Sequence, residues 1–491
     1  MIKQVAHIML FLWLCLATGI HAEEICEIDR VSIVQRLTNR SYPSVFGHNE
    51  HVILNEPIPE NEWDWSYHKK TWSYHDLFIA VSFRSLRFQN LTDKGHLTDE
   101  GRKLVSGETE HIWYQKREIQ ALNPDFLLLA GLGYYGDYPP DSYPEDWEYW
   151  LRDEAGNRIQ DIPFKEFLID YTLPGAEDHF VKMAVSVKAC GIFDGIFMDL
   201  WSERAEAAPG PDGIAHLYHG NRVEALVSLV KRIREAVGDD FLIVVNTRTE
   251  KIPRSAPYVN GAYMETWGET RGKYPRKRIL EIENALSWYE ENLRYPQVNN
   301  LEIGKNPSEP WDSPDNLRLA RVTTTLVLTH SNGAISITGK QQNPGARYWY
   351  SFWDAPLGRS IGGDETKGVL YETPKGEEIE GLFIREFTNG YAVYNRSGKE
   401  QEIELPQAVS GWASGVENQR RHTLADLDGE IYLKAESGLE TPPTVDVNGD
   451  GVVNIQDLVL VANAFGKAEP DLNGDGVVNI QDLVIVANAF G

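Results

Sequence analysis

Two acidic residues in otherwise apolar segments each stand two positions ahead of a tryptophan: Asp199 in FDGIFMDLW and Glu265 in YMETW. Facing each other across an open cleft, two such carboxylates suit cleavage of a glycosidic bond. One protonates the leaving oxygen, and the other attacks the anomeric carbon or activates a water. Trp201 and Trp267 would then offer flat faces to pyranose rings, whose axial C–H groups stack on aromatic surfaces. Asn246, at the end of FLIVVN, would hold a sugar hydroxyl or close a loop. Asp170, at the end of FLID, would bind substrate or serve as scaffold. Glu203 and Glu269, a few residues beyond Asp199 and Glu265, are the reserve acids.

A second set of residues is spaced for a hard cation. DVNGDGVVNIQDLVLVANAFG begins at Asp446 and DLNGDGVVNIQDLVIVANAFG at Asp471. Oxygen-bearing side chains fall at loop positions 1, 3, 5, 9 and 12: Asp446, Asn448, Asp450, Asn454 and Asp457, then Asp471, Asn473, Asp475, Asn479 and Asp482. Gly451 and Gly476 mark the sharp turn, and Val452 and Val477 would each add a backbone carbonyl. This pattern surrounds calcium with the six to eight oxygens it prefers, and the repetition implies two structural ions. The apolar stretch after each loop reads as a short helix that must bury itself against its twin. The segment resembles a type I dockerin, two calcium loops each followed by a helix. The resemblance implies a cohesin-type protein partner. In that family loop positions 10 and 11 help choose the partner. Here they are Ile455 and Gln456, then Ile480 and Gln481, in place of the common Ser-Thr.

The acids at 199 and 265 belong to a longer alternation. Apolar runs at 78–83, 126–131, 167–170, 196–199, 241–246, 261–265, 300–303 and 334–337 are separated by helical patterns such as NRVEALVSLVKRIREAV. Eight such runs predict a parallel sheet closed into a (β/α)8 TIM barrel, with functional residues at the C-terminal strand ends. Beyond residue 337 the pattern changes to alternating runs joined by Asn389-Gly390, and a further run follows at 430–435. This predicts a small C-terminal β-domain. FDGIFMDLW, YMETW and REFTNGYAVYNRSG together resemble barrel glycosidases of the endo-α-1,4-polygalactosaminidase-like families and the hypothetical bacterial glycosyl hydrolases grouped near them. That resemblance spans roughly residues 75–410 and implies Asp199 and Glu265 as the catalytic pair.

The expected organisation is a signal peptide over 1–22, an N-terminal extension packed on the barrel over 23–74 and the barrel over 75–345. A β-domain over 346–438, a linker over 439–445 and an all-α calcium-binding module over 446–491 complete it. The opening lysine, short apolar core and small residues up to Ala22 fit export, with no membrane span afterwards and a secreted or partner-attached location. Cys26 and Cys190 would be the remaining cysteines, their pairing open. A net charge of −26 argues against a nucleic-acid partner, which basic patches would serve. With 14 Trp and 22 Tyr, a polysaccharide is the better fit as substrate. A non-catalytic carbohydrate-binding barrel with the same docking module is the alternative. His48 and His51 have metal-like spacing, but no further ligand set joins them.

Overall fold

Strands buried on both faces need apolar residues at every position, and the runs read above have that character. Eight of them pair in parallel: β1 (Phe46–His48), β2 (Leu77–Ala80), β3 (Leu127–Gly131), β4 (Gly195–Met198), β5 (Leu242–Asn246), β6 (Gly261–Glu265), β7 (Asn300–Gly304) and β8 (Ala334–Thr338). In this computed structural model the described residues are 32–48, 52–60, 64–80, 108–137, 143, 145–161, 165–189, 191–205, 214–266, 274–339, 346–434, 447, 453, 455–467, 470, 472 and 478–488. The expected signal peptide, Cys26 and Cys190 lie outside them. The ring closes where Val45, just before β1, bridges Ile335 of β8, whose N–H donates to the Ser44 carbonyl at 3.1 Å.

Alternation along the strands divides the side chains. Phe46, Leu77, Ile79, Leu127, Leu129, Phe197, Leu242, Val244 and Tyr263 share the barrel interior. Their neighbours Phe78, Leu128, Ile196, Ile243, Met264 and Ile335 pack with the surrounding helices in the larger cluster. Helix α1 (Ile33–Asn39) precedes β1. Then α2 (Trp65–Trp72), α3 (Glu108–Gln120), α4 (Ala176–Ala189), α5 (Arg222–Val237), α6 (Arg276–Asn292) and α7 (Pro314–His330) follow β1, β2, β3, β4, β6 and β7. Only a short 3₁₀ turn, Ala256–Tyr258, separates β5 from β6. The Asn221 side chain accepts from the Val223 and Glu224 N–H groups to start α5, and Gly238, at φ 72°, ends it.

The sequence reading erred at two strands. FLID is not part of the barrel: Phe167–Leu168 pairs antiparallel with Gly136–Asp137 in an excursion between β3 and α4. The first barrel strand lies instead at Phe46–His48, inside the stretch expected to be an extension. Three residues are too few for a composition signal, and pairing alone defines it. Trp72 stacks on Phe78 at 4.5 Å and belongs to the packing outside the barrel wall.

A second, six-stranded sheet has the order β9–β10–β11–β14–β12–β13, built from Leu370–Glu372, Glu378–Phe387, Gly390–Asn395, Asp428–Lys434, Gln401–Gly411 and Gln419–Leu424 respectively. The anticipated hairpin is present with its turn one residue earlier. Phe387 pairs with Gly390, leaving Thr388-Asn389 as the loop. The sheet packs on α7 and is tied to the helices by charge. Arg321 is bidentate to Asp428 at 2.9 and 2.7 Å, and Arg396 is bidentate to Glu283 at 2.7 and 2.7 Å. Barrel and sheet form one compact unit, Met1–Leu433, and Lys434–Gly491 forms a second. In the second unit α8 (Ile455–Asn463) and α9 (Ile480–Asn488) pack around Val461, Ala464, Val478 and Val486.

One buried triad anchors α1 to the barrel. Asp194, just before β4, is salt-bridged to Arg36 and to Lys116 at 2.8 Å, and accepts the Leu128 N–H at 2.9 Å. Burial pushes the Asp194 carboxyl up, but Lys116 and Arg36 outweigh it and hold the carboxyl below its ordinary value. Its stabilising contribution is therefore present above the unfolded value of about 3.9 and fades as pH falls through the lower folded value. Asp194→Asn, which strands two buried cations, is expected to cost about 3–5 kcal/mol in urea unfolding at pH 7. A loss under 1 kcal/mol would refute the anchoring role.

Candidate active site

Strands β4, β5 and β6 are neighbours, with Met198 opposite Val245 and Val245 opposite Ala262. Their C-terminal ends therefore deliver Asp199, Asn246 and Glu265 to the same side of the barrel mouth. Asp199 and Glu265 are half-buried, while Asn246 is only 3% exposed.

The chain after β4 turns through Leu200 with φ 51°, a left-handed conformation that costs a branched residue energy. The turn points the Leu200 N–H at Asp199 Oδ1, 2.8 Å away. The Leu200 carbonyl accepts from the Tyr134 hydroxyl at 3.1 Å, which holds the turn from the other side. Burial, then the neighbours Tyr171 and Asp199, keeps the Tyr134 phenol protonated far above its ordinary range.

The Asn246 amide links the two acids. Its Nδ2 donates to Asp199 Oδ1 at 2.7 Å and to Glu265 Oε2 at 2.8 Å. Those two oxygens are therefore at most 5.5 Å apart, the limit set by the two bonds laid end to end. At the roughly 120° between the N–H bonds of a planar amide, their separation is about 4.8 Å. Asn246 Oδ1 accepts from the Arg248 N–H at 3.2 Å, and Arg248 too is left-handed, at φ 56°.

Further polar groups lie inside the mouth. Glu302 of β7 is in register with Glu265, is fully buried, and meets Arg347 Nη2 at 3.2 Å. Tyr263, two residues before Glu265, has its hydroxyl 3.2 Å from His48 Nδ1. Burial, then Glu302 and Glu265, pushes that phenol well up. The sequence reading missed Glu302, Arg347 and Tyr263. Glu302 had a signal, an acid alternating with apolar residues inside NLEIG.

Other residues singled out from the sequence have different placements. Trp201 is 2% exposed. Its N–H donates to the Asn246 carbonyl at 2.9 Å, its indole nitrogen donates to Ser255 Oγ at 3.2 Å, and its ring meets Tyr134, so no face remains for a sugar. Asp170 follows the excursion rather than a barrel strand and is fully buried. It accepts from the Thr172 N–H and hydroxyl at 3.0 and 2.5 Å, and from the His219 N–H and ring Nδ1 at 3.1 and 2.7 Å. That makes it a staple between two loops, the scaffold side of the two roles considered. Glu203 accepts the Arg254 and Ser255 N–H groups at 3.1 and 2.7 Å, closing the β5 loop onto the β4 loop. Trp267 and Glu269 lie outside the described residues.

In the second unit most of the expected calcium ligands lie outside the described residues. Asp446, Asn448, Asp450, Val452, Asn454, Asp471, Asn473, Asp475 and Val477 are among them. The two position-12 acids, Asp457 and Asp482, are described and fully buried. Asp482 accepts the N–H groups of Leu472 and Asn479 at 2.6 and 2.7 Å, which ties its carboxylate to both of those residues. Two fully buried carboxylates, one at the last ligand position of each repeat, fit a bound cation, which supplies the compensating charge.

A (β/α)8 barrel with two acids bridged at its mouth, followed by this loop-helix repeat, defines a glycoside hydrolase joined to a docking module. Residues 133–391 match the family described as hypothetical glycosyl hydrolase family 15, and residues 444–491 match the dockerin type I domain. The first match covers more than half of the chain, so the protein belongs to hypothetical glycosyl hydrolase family 15. It carries a calcium-binding dockerin at its C-terminal end. Solved structures that it resembles include an α-amylase from Geobacillus thermoleovorans complexed with acarbose (11% identity, 80% of this chain and 99% of that one, TM-score 0.44). A pullulanase from an Anoxybacillus species complexed with maltotriose is another (10% identity, 84% and 72%, TM-score 0.48). A third is the glycoside hydrolase domain of a PelA variant from Pseudomonas aeruginosa (12% identity, 61% and 94%, TM-score 0.33). These are too distant to lend residue roles. Among curated proteins, no sequence matches. No helix among the described residues is long and apolar enough to cross a membrane.

Because Glu203 is occupied with loop closure, Glu203→Gln is expected to keep hydrolysis within about threefold while lowering stability by about 1–3 kcal/mol. A collapse of activity with unchanged stability would instead return Glu203 to the reacting pair.

Proposed function

We propose that the protein is a secreted, retaining glycoside hydrolase acting on the O-glycosidic bonds of a polysaccharide, with Asp199 as nucleophile and Glu265 as acid and base. The observation that carries this reading is the single amide nitrogen spanning both carboxylates. Inverting enzymes leave roughly 6.5–9.5 Å between the two carboxyl groups for a water, and retaining enzymes about 5–5.5 Å. The bridged oxygens, at most 5.5 Å apart, fit the second.

Two N–H donors on Asp199 Oδ1, from Leu200 and Asn246, stabilise its ionised form, the state a nucleophile needs. In the first step an Asp199 oxygen bonds to the anomeric carbon as the bond to the leaving oxygen breaks. Glu265 gives its proton to that oxygen. In the second step Glu265 takes a proton from water, the water oxygen bonds to the anomeric carbon, and the ester to Asp199 opens. The half-buried setting of both acids supports access by a chain rather than enclosure of a small sugar.

The division of the chain read from the sequence, with the barrel's first strand moved to Phe46–His48, is part of this proposal, including export through residues 1–22. The dockerin would hold two calcium ions through Asp446, Asn448, Asp450, Val452, Asn454 and Asp457 and through Asp471, Asn473, Asp475, Val477, Asn479 and Asp482. It would attach the enzyme to a cohesin-type protein outside the cell. Ile455 and Ile480 are 58% and 63% exposed at the recognition positions, which supports an apolar contact there.

A polysaccharide panel supplies the substrate, and ¹H NMR of the first-formed product reads its anomer. Retention of configuration is expected, and inversion would refute the double displacement. Asp199→Asn and Glu265→Gln are each expected to lower kcat by about 10²–10⁴-fold or more. Calorimetric titration of EGTA-treated protein with calcium should give two ions per chain, falling to one in Asp482→Asn. An unchanged stoichiometry in that variant would remove Asp482 from the ligand set.

A further inference from the structure

The sequence reading left Asn246 between holding a sugar hydroxyl and closing a loop. Its surroundings favour neither. Both N–H bonds of the amide are engaged, one by each acid, and its oxygen accepts the Arg248 N–H. The orientation cannot be reversed without setting the amide oxygen against two carboxylates and the NH₂ against a backbone N–H. At 3% exposure the amide is also screened from water that could replace it. The left-handed backbone at Arg248 is what brings that N–H back to the amide oxygen.

We propose that Asn246 is the positioning residue of the site. Its amide holds Asp199 and Glu265 at the spacing of double displacement. This rests on the reading of Asp199 and Glu265 as the reacting pair. Two carboxylates this close repel each other, and a shared donor between them offsets the repulsion while pinning one oxygen of each. Other charged and titratable groups face the pair from the adjoining elements: Glu302 on β7 with Arg347, His48 at the end of β1, Tyr263 on β6 and Tyr134 after β3. Asn246 donates to both acids at once.

The test measures reducing-end release against pH by the full chain, on the panel polysaccharide that the unaltered protein cleaves fastest. Asn246→Ala is expected to lower kcat by about 10²–10³-fold, as loss of a preorganised donor does, with KM changed less than about threefold. The acidic limb should move to higher pH, because a hydrogen bond that favours the carboxylate is gone. A raised KM with unchanged kcat would make Asn246 a sugar ligand and overturn the proposal, as would an unchanged kcat and profile. Should Asn246→Ala fail to fold by circular dichroism, Asn246→Asp, of the same shape, decides. A lowered kcat and an upward shift of the acidic limb support the proposal, and wild-type behaviour sinks it. Asp199→Asn, run alongside, separates the two layers. If it stays active, the carboxylate pair itself falls. If it is inactive while the Asn246 variants behave as wild type, only the positioning role falls.

Discussion

A buried amide shared by two carboxylates can exist only if three consecutive strands end at compatible heights, and much of the molecule follows from that condition. β5 must lie between β4 and β6, and Val245 must pair with Met198 on one side and Ala262 on the other. A slip of one residue on any of the three would turn the acid or the amide out of the mouth, since side chains alternate along a strand. The closely packed start of β6 helps hold this register. A Cβ at Gly261 would run into the Val298 carbonyl, so only glycine admits the neighbouring chain there.

The loops above the strands repeat the same device of internal hydrogen bonds in place of solvent. Glu203 closes on Arg254 and Ser255, and Glu250 accepts from Ser202, Glu203 and Arg204. Asp170 joins the β3 and β4 loops through Thr172 and His219. Each of these acids is removed from the list of reacting groups by being satisfied within the loops. The bridged pair at the mouth remains only half-buried.

This division explains what was legible in the sequence. Asp199, Asn246 and Glu265 each end an apolar run of strand length, and in a parallel barrel such positions meet at one rim, so type and place could be read together. Asp170 ended a similar run, FLID, but that run makes only a two-residue antiparallel ladder, and nothing in its composition distinguishes the two outcomes. Trp201 stood where a sugar platform was expected. The left-handed turn at Leu200 instead directs its backbone to Asn246 and its ring into the core, a conformation that no residue type announced. Glu302 becomes meaningful only once β7 is known to lie in register beside β6.

The C-terminal module obeys a different balance. Its core is a handful of residues, Val461, Ala464, Val478 and Val486, supported by a few half-buried neighbours, yet it buries Asp457 and Asp482 completely. Apolar burial on that scale stabilises a domain of this size only marginally, and two buried carboxylates count against it. At the same time Ile455, Val459, Leu460, Phe465 and Ile480 are left largely exposed. A helix that hides its acid and shows its isoleucine reverses the usual amphipathic order. The reversal is stable if a cation neutralises the hidden acids, and it is useful if a partner covers the apolar face. The barrel meets its own buried charges with arginine and lysine. A cation taken from solution would neutralise the module's hidden acids, which would make its fold and its docking depend on the same ion.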